Sequence, residues 1–242
     1  MSNCKVCGVE LNSENKYMEG MCWDCKFGGH EEYMKDRDWT GNKKSTFVTL
    51  GASSHCDHDR AENDFYSTDP KALEIFLDKL KEDGVELNHY VWECACGNGA
   101  LSEVLINRGH DVWSTDLVDR GYGLPDYNFL TCERLPFGKY DNIKWDILTN
   151  PPYKYAQEFV EHAINLVNDG SYVVMFLKIQ FLEGKERRKL FDKYPPKYVY
   201  VNSARQICYL NGDTSKKMSS ATCYCWYIWE KGWKGDPIIR WI

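Results

Sequence analysis

At 242 residues the chain is long enough for one sizeable core and a small appendage. A net charge of −6 and a pI near 5.6 exclude a protein that is basic throughout, leaving room only for local basic faces. Apolar runs such as Tyr172 to Leu177 are too short to cross a bilayer, and with eleven cysteines and no export signal the reading is a soluble cytoplasmic protein with reduced thiols.

The cysteines are unevenly spread. Cys4-x2-Cys7 and Cys22-x2-Cys25 have the spacing of two knuckles closing a tetrahedral four-thiolate Zn2+ site, with Gly8 supplying the freedom a knuckle turn needs. A stretch this short cannot bury a core without such a staple. Four thiolates leave no open position on the metal, so residues 1 to 26 are expected to be a structural zinc module. Residues 27 to 64 show no lasting periodicity and read as a linker or flap. Within it His55, Cys56, Asp57 and His58 could bind a second metal or belong to a solvated loop.

The pattern changes at "DFYSTDPKALEIFLDKL". Thr68 or Asp69 can cap a helix, Pro70 fits its first turn, and Leu73, Phe76, Leu77 and Leu80 recur at helical spacing, which predicts a helix over about 70 to 82. Strands and helices then alternate. "HYVWEC" and "DVWST" read as strands around the helix "GALSEVLINRG", which ends at Gly109. "WDILT" is a strand followed by a helix over 154 to 168 whose inner face is Phe159, Val160, Ala163, Ile164 and Val167. "SYVVMFL", "YVYVN" and "CYCWYIW" follow as strands. Such alternation predicts an α/β fold with a mainly parallel sheet covered on both faces, and ligands beyond the carboxyl ends of its strands.

Those ends carry the chemistry. "ECACGNGAL" places Gly97 and Gly99 in a tight turn that opens a helix, either an ordinary strand-end turn or a backbone cradle for a ligand. Asp116, nineteen residues after Gly97 at the tip of the next strand, can accept both hydroxyl protons of a ribose. Glu93 adds a second carboxylate, and the loop lacks the dinucleotide G-x-G-x-x-G pattern. A ligand with a ribose and a positive charge, and no pyrophosphate, follows. After "WDILT" come Asn150, Pro151, Pro152 and Tyr153. The two prolines donate no N–H and hold φ near −65°, so this is either a stiff strand-ending turn with a packed tyrosine or a rigid set of acceptors beside a ring.

Taken together, these motifs resemble the class I S-adenosylmethionine-dependent methyltransferases of the amino-methylating type, and most of all the small adenine-N6 DNA methyltransferases of phages and prophages. The resemblance spans about residues 48 to 242, with Asn150 to Tyr153 its most specific element. It implies a seven-stranded, mainly parallel Rossmann-like methyltransferase sheet over residues 65 to 242. "DFYSTDP" resembles the segment that closes over the methionine part of the cofactor, implying contacts from Phe65, Tyr66 and Thr68. "ECACGNG" resembles the family's glycine motif, implying Glu93, Ala95, Gly97 and Gly99, and Asp116 with Leu117 resembles its ribose and adenine contact. "YNFL" resembles its third-strand motif, implying Asn128 and Phe129; the family commonly has Asp where Asn128 stands. Asn150, Pro151, Pro152 and Tyr153 resemble its catalytic motif. "QFLEGKERRKLF" and "GDPIIRWI" also resemble the phage group.

The exocyclic amine of adenine is a poor nucleophile because its lone pair is delocalised into the ring. Accepting its hydrogens on the Asn150 side chain and the Pro151 carbonyl favours a tetrahedral nitrogen and disperses the charge of methyl transfer, while Tyr153 can stack on a base flipped out of duplex DNA. Residues 178 to 217 carry ten Lys or Arg against four acids, either a phosphate-tracking face or a solvated one. Residues 1 to 64 carry eight basic and twelve acidic side chains, so the zinc module is no electrostatic anchor for nucleic acid. The expected partner is DNA, with no membrane, in a bacterial or phage-infected cytoplasm. The alternatives are the same chemistry on RNA or a protein glutamine, or a non-catalytic zinc-containing binding module that senses the cofactor. The stretch 203 to 222 is the only sizeable insertion and is short for reading several base pairs.

Overall fold

The computed structural model describes residues 2–3, 10–11, 16–17, 21–22, 66–135, 143–206, 208–210 and 222–242. The chain divides into two compact units, Met1–His55 and Cys56–Ile242. In the first, β1 (Ser2–Asn3) pairs antiparallel with β2 (Glu10–Leu11), and β3 (Lys16–Tyr17) with β4 (Met21–Cys22). Cys4, Cys7 and Cys25 lie outside the described residues, and Cys22 is described only as strand backbone. The linker at 27 to 64, including His55, Cys56, Asp57 and His58, also lies outside them, as does Phe65.

The second unit opens with β5 (Tyr66–Thr68) and α1 (Pro70–Glu82), whose N-cap Asp69 accepts the Lys71 N–H at 3.0 Å. There follow β6 (Tyr90–Glu93), α2 (Ala100–Asn107), β7 (Asp111–Ser114), β8 (Trp145–Thr149), α3 (Ala156–Leu166), β9 (Tyr172–Lys178), α4 (Lys185–Lys193), β10 (Tyr198–Val201), β11 (Cys208–Leu210), β12 (Tyr224–Glu230) and β13 (Ile238–Trp241). Seven of these strands form one sheet in the order β13-β10-β12-β9-β8-β6-β7. β7, β6, β8 and β9 are mutually parallel. β12 runs antiparallel to both neighbours, and β13 lies parallel to β10.

The period of two in the strands builds two cores. Along β9, Val173, Met175 and Leu177 face one side with Trp92, Ile147, Tyr227 and Trp229, where Phe159, Val160, Ala163 and Ile164 of α3 cover them. Val174 and Phe176 face the other with Val91, Leu148, Tyr200 and Trp226, beneath Leu73, Phe76 and Leu80 of α1 and Leu101, Val104 and Leu105 of α2. Every residue of β8 is buried, as expected for a central parallel strand covered on both faces. Among the described residues no helix is long and apolar enough to cross a membrane.

The structure departs from the sequence-based expectation in several places. "YNFL" forms no strand: Asn128 folds its own side chain onto the Leu130 N–H at 3.1 Å and caps a single 3-10 turn, Phe129–Thr131. A local side-chain bond competes here with a ladder, and among the described residues only the bridge between Thr115 and Leu124 continues beyond β7. The seventh strand is instead β13, from the "IIRW" of the terminal motif, pinned by the Arg240 guanidinium on Asp83 at 2.5 Å. The helix expected from residue 154 begins at Ala156, after a 3-10 turn over Tyr153–Tyr155 that follows the two prolines.

Candidate active site

Three strand ends meet in one cavity of about 650 Å³. β6 contributes the glycine turn, β7 contributes Asp116, and β8 contributes the Asn150 to Tyr153 segment, while β5 hydrogen-bonds to the first and last. Of the residues singled out in the sequence, Tyr66, Thr68, Glu93, Ala95, Gly97, Asp116, Leu117, Asn128, Phe129, Asn150, Pro151, Pro152 and Tyr153 all line it. Gly99 does not line the wall. It caps α2 at φ 81°, and a side chain there would strike the Tyr122 ring at 2.5 Å, so glycine is required both by conformation and by contact.

The Asp116 carboxylate, 9% exposed, organises the turn. Its Oδ2 accepts the Gly97 N–H at 2.8 Å and its Oδ1 accepts the Val118 N–H at 2.9 Å. A carboxylate has about four acceptor positions, so both oxygens retain capacity for hydroxyl donors. Behind it the Glu93 carboxyl is buried and takes the Ser102 hydroxyl as donor; Ser102 also bonds Ser114 at 2.6 Å. Burial pushes the Glu93 carboxyl up to about 8, against the Ser102 hydrogen bond that pulls it down, and the neighbouring Asp116 charge adds to the rise. Burial likewise raises the Cys94 thiol well above its ordinary value and Cys96 to about 12, so neither is a ready thiolate.

At the end of β8, Asn150 is held from one side only. Its Nδ2 donates to the Tyr66 carbonyl at 3.0 Å and to the Thr68 hydroxyl at 2.9 Å, whereas its buried Oδ1 accepts no hydrogen bond among the described residues. The Tyr66 carbonyl can only accept, which fixes the amide nitrogen on that side and the oxygen on the other. The Tyr153 ring lies 6.1 Å from the Tyr66 ring at 24° and has the Lys178 ammonium 5.1 Å from its centroid. Phe129, 2% exposed, sits edge-on to Trp92 at 5.2 Å and against Phe159 at 4.9 Å, so its position is set by the core.

The cavity also contains residues the motifs did not single out, among them Ser67, Asn98, Arg120, Lys154 and Tyr155. Asn98 sits inside the quoted glycine turn and accepts the Ser67 hydroxyl at 3.0 Å, a link across 31 residues with no local sequence signal. Lys154 and Tyr155 directly follow the Asn-Pro-Pro-Tyr segment. The Lys154 ammonium lies 5.0 Å from the Tyr155 ring, and Tyr155 is 42% exposed.

No protein-family model matches the chain, and no curated protein matches it. Solved structures do. A Listeria monocytogenes protein described as a candidate class I S-adenosylmethionine-dependent methyltransferase superposes with a TM-score of 0.51 at 14% identity, covering 79% of this chain and 68% of that one. The methyltransferase subunit of a type I restriction-modification system from Streptococcus thermophilus superposes with a TM-score of 0.52 at 15% identity, over 75% of this chain and 48% of the subunit. The chain thus spans about half the length of that subunit. At these identities the likeness is one of fold, and the chain shares the α/β fold of these methyltransferases.

Proposed function

We propose that the protein transfers a methyl group from S-adenosylmethionine to the exocyclic N6 amine of adenine in DNA, on a base rotated out of its duplex. The observation that carries this reading is Asn150, whose amide nitrogen is fully engaged by Tyr66 and Thr68 while its buried oxygen has no donor among the described residues. A buried acceptor without a partner costs about 1–3 kcal/mol, a cost that a donor amine on the substrate would relieve.

The cavity fits the cofactor on three counts. Its volume of about 650 Å³ falls in the range of small-molecule sites. The Gly97 turn, at φ 56°, brings bare backbone to the wall, and the Asp116 oxygens retain acceptor capacity for ribose hydroxyls. Tyr66, Thr68, Glu93, Ala95, Gly97, Asp116, Leu117, Asn128 and Phe129 would hold it, with Gly99 shaping the turn and Phe65 as a further contact. When bound, the cofactor supplies an electrophilic methyl group.

The chain's own residues do the rest. Asn150 Oδ1 and the Pro151 carbonyl accept the two amine hydrogens, drawing the nitrogen towards tetrahedral geometry and dispersing its developing charge. Pro151 and Pro152 keep those acceptors from reorganising. Tyr153 stacks on the base, so the segment positions and polarises, and the proton leaves to water from an acidic arylammonium.

DNA as the polymer is supported by the basic balance of residues 178 to 217 and by the Streptococcus thermophilus restriction-modification methyltransferase of the same fold. Residues 1 to 26 are proposed to hold one structural Zn2+ through Cys4, Cys7, Cys22 and Cys25, a four-thiolate set that fits zinc. The test is acceptor competition: tritium-labelled cofactor offered with duplex DNA, RNA and protein extract. Label in DNA, recovered as N6-methyladenine, is the expected result. Label confined to RNA or to protein glutamine would move the same chemistry to that acceptor, and bound cofactor with no transfer to any polymer would leave a cofactor-sensing module.

A further inference from the structure

β5 is only three residues long, yet it bonds to both working loops. Successive side chains of a strand point to opposite sides, so Ser67 and Thr68 diverge. The Ser67 hydroxyl reaches Asn98 of the glycine turn at 3.0 Å, while Thr68 Oγ1 and the Tyr66 carbonyl take the Asn150 amide at 2.9 and 3.0 Å. Thr68 is 3% exposed, so its bond to Asn150 is shielded from water. On its other edge β5 pairs antiparallel with β11, matching Cys208 with Thr68, Tyr209 with Ser67 and Leu210 with Tyr66. β11 comes from the stretch 203 to 222, the one sizeable insertion among the late strands.

We propose that β5 is a crossbar that sets the orientation of Asn150, with Thr68 as a positioning residue and β11 as its brace. The inference rests on the acceptor role given to Asn150 above. An asparagine amide is nearly symmetric in shape, so only its partners decide which end faces the substrate. The Tyr66 carbonyl, which can only accept, makes the flipped amide repulsive because its oxygen would then face that carbonyl, while the Thr68 hydroxyl gives the amide nitrogen a second bond. Removing the Thr68 hydroxyl leaves one acceptor and a looser amide. β11 therefore serves the site from within the fold, holding the crossbar by backbone pairing.

The test uses the full chain. Thr68→Val keeps the shape and removes the hydroxyl; Thr68→Ser keeps the hydroxyl. Single-turnover transfer to DNA should fall on the order of 10- to 100-fold in Thr68→Val, the scale of a misplaced reacting group. It should recover most of its rate in Thr68→Ser, and cofactor affinity by calorimetry should change far less than the rate. In an Asn150→Ala background, Thr68→Val should add little further loss, because Thr68 acts through Asn150. An independent readout needs no turnover: the Asn150 side-chain amide protons, assigned by their loss in Asn150→Asp, should exchange with water faster in Thr68→Val than in the parent. A parent that transfers no methyl group but shows this faster exchange would sink the proposed reaction and leave the crossbar standing. Full activity in Thr68→Val, additive losses with Asn150→Ala, or unchanged amide exchange would each overturn the crossbar.

Discussion

The Asp116 carboxylate accepts the backbone N–H of Gly97 at 2.8 Å, joining the tip of β7 to the glycine turn after β6. The same carboxylate takes the Val118 N–H, so one side chain both shapes the turn and faces the cavity. Asp116→Ala is therefore expected to do two things. It strands two backbone donors, lowering stability by about 1–3 kcal/mol for each left without water, and it weakens cofactor binding by a few kcal/mol at most. Asp116→Asn, with one acceptor oxygen for two N–H groups, should fall between. Thermal melts and cofactor calorimetry on the same samples separate the effects; unchanged affinity in a folded Asp116→Ala protein would place the ribose elsewhere.

Asn150→Ala should lower single-turnover methyl transfer about 100- to 1000-fold, the usual cost of one preorganised polar partner, with cofactor binding nearly unchanged. Asn150→Asp should lie between Ala and the parent. Its carboxylate remains an acceptor, but its second oxygen faces the Tyr66 carbonyl, with only the Thr68 hydroxyl able to turn and donate. Equal rates for the parent and Asn150→Ala on DNA would reduce Asn150 to a turn residue.

For Tyr153 the prediction concerns the ring. Tyr153→Ala should impair capture of a flipped base, whereas Tyr153→Phe should keep stacking and most of the rate. Binding to duplexes with a mismatched base at the target position, which costs less to flip, should rescue part of the Tyr153→Ala defect. No difference between Ala and Phe in transfer rate would remove stacking from the account.

Much of this site was legible in the sequence because its parts sit at strand ends marked by local signals. Gly97 and Asp116 are separated by one helix and one strand, and the Pro151-Pro152 pair announces a stiff segment wherever it falls. The helix at Pro70–Glu82 has its cap, its first-turn proline and its apolar spacing in plain view. What could not be read is long-range: Ser67 on Asn98 and Thr68 on Asn150 join residues 31 and 82 positions apart through single hydroxyls. β13 was missed because Ile238, Ile239 and Trp241 stay exposed and show no buried face to alternate with. α4, with only Leu190 buried, is a polar helix whose ion pairs of Arg188 with Asp192 and Lys189 with Glu186 leave little apolar period to detect.

Zinc removal tests the N-terminal module. Metal analysis of freshly reduced protein should give about one Zn2+ per chain, and Cys4→Ser with Cys7→Ser should abolish it. Four thiolates saturate the metal, which leaves it no open position for chemistry. Chelation should therefore unfold residues 1 to 26 while leaving cofactor affinity within about threefold, which limited proteolysis and calorimetry would read. Loss of cofactor binding on chelation would tie the module to the site.

The last prediction follows from Glu93. Its carboxyl, raised by burial from an ordinary 4.5 to about 8, carries its proton at neutral pH in the cofactor-free protein. The folded state then binds more protons than the unfolded one between roughly pH 4.5 and 8, so this group's contribution to stability is full below that window and is lost as pH rises through it. Glu93→Gln keeps an acceptor for Ser102 without the titration, and its melting temperature should gain on the parent's as pH goes from 5 to 8. A positive charge arriving in the cavity favours the ionised carboxyl, so binding S-adenosylmethionine near pH 7 should release a proton from Glu93. Cofactor affinity should then rise with pH by up to about tenfold per unit below pH 8 and level off above it, and the dependence should vanish in Glu93→Gln. Calorimetry in two buffers of different ionisation heat measures the proton directly. Equal heats in both buffers at pH 7 would mean that Glu93 does not change its charge on binding.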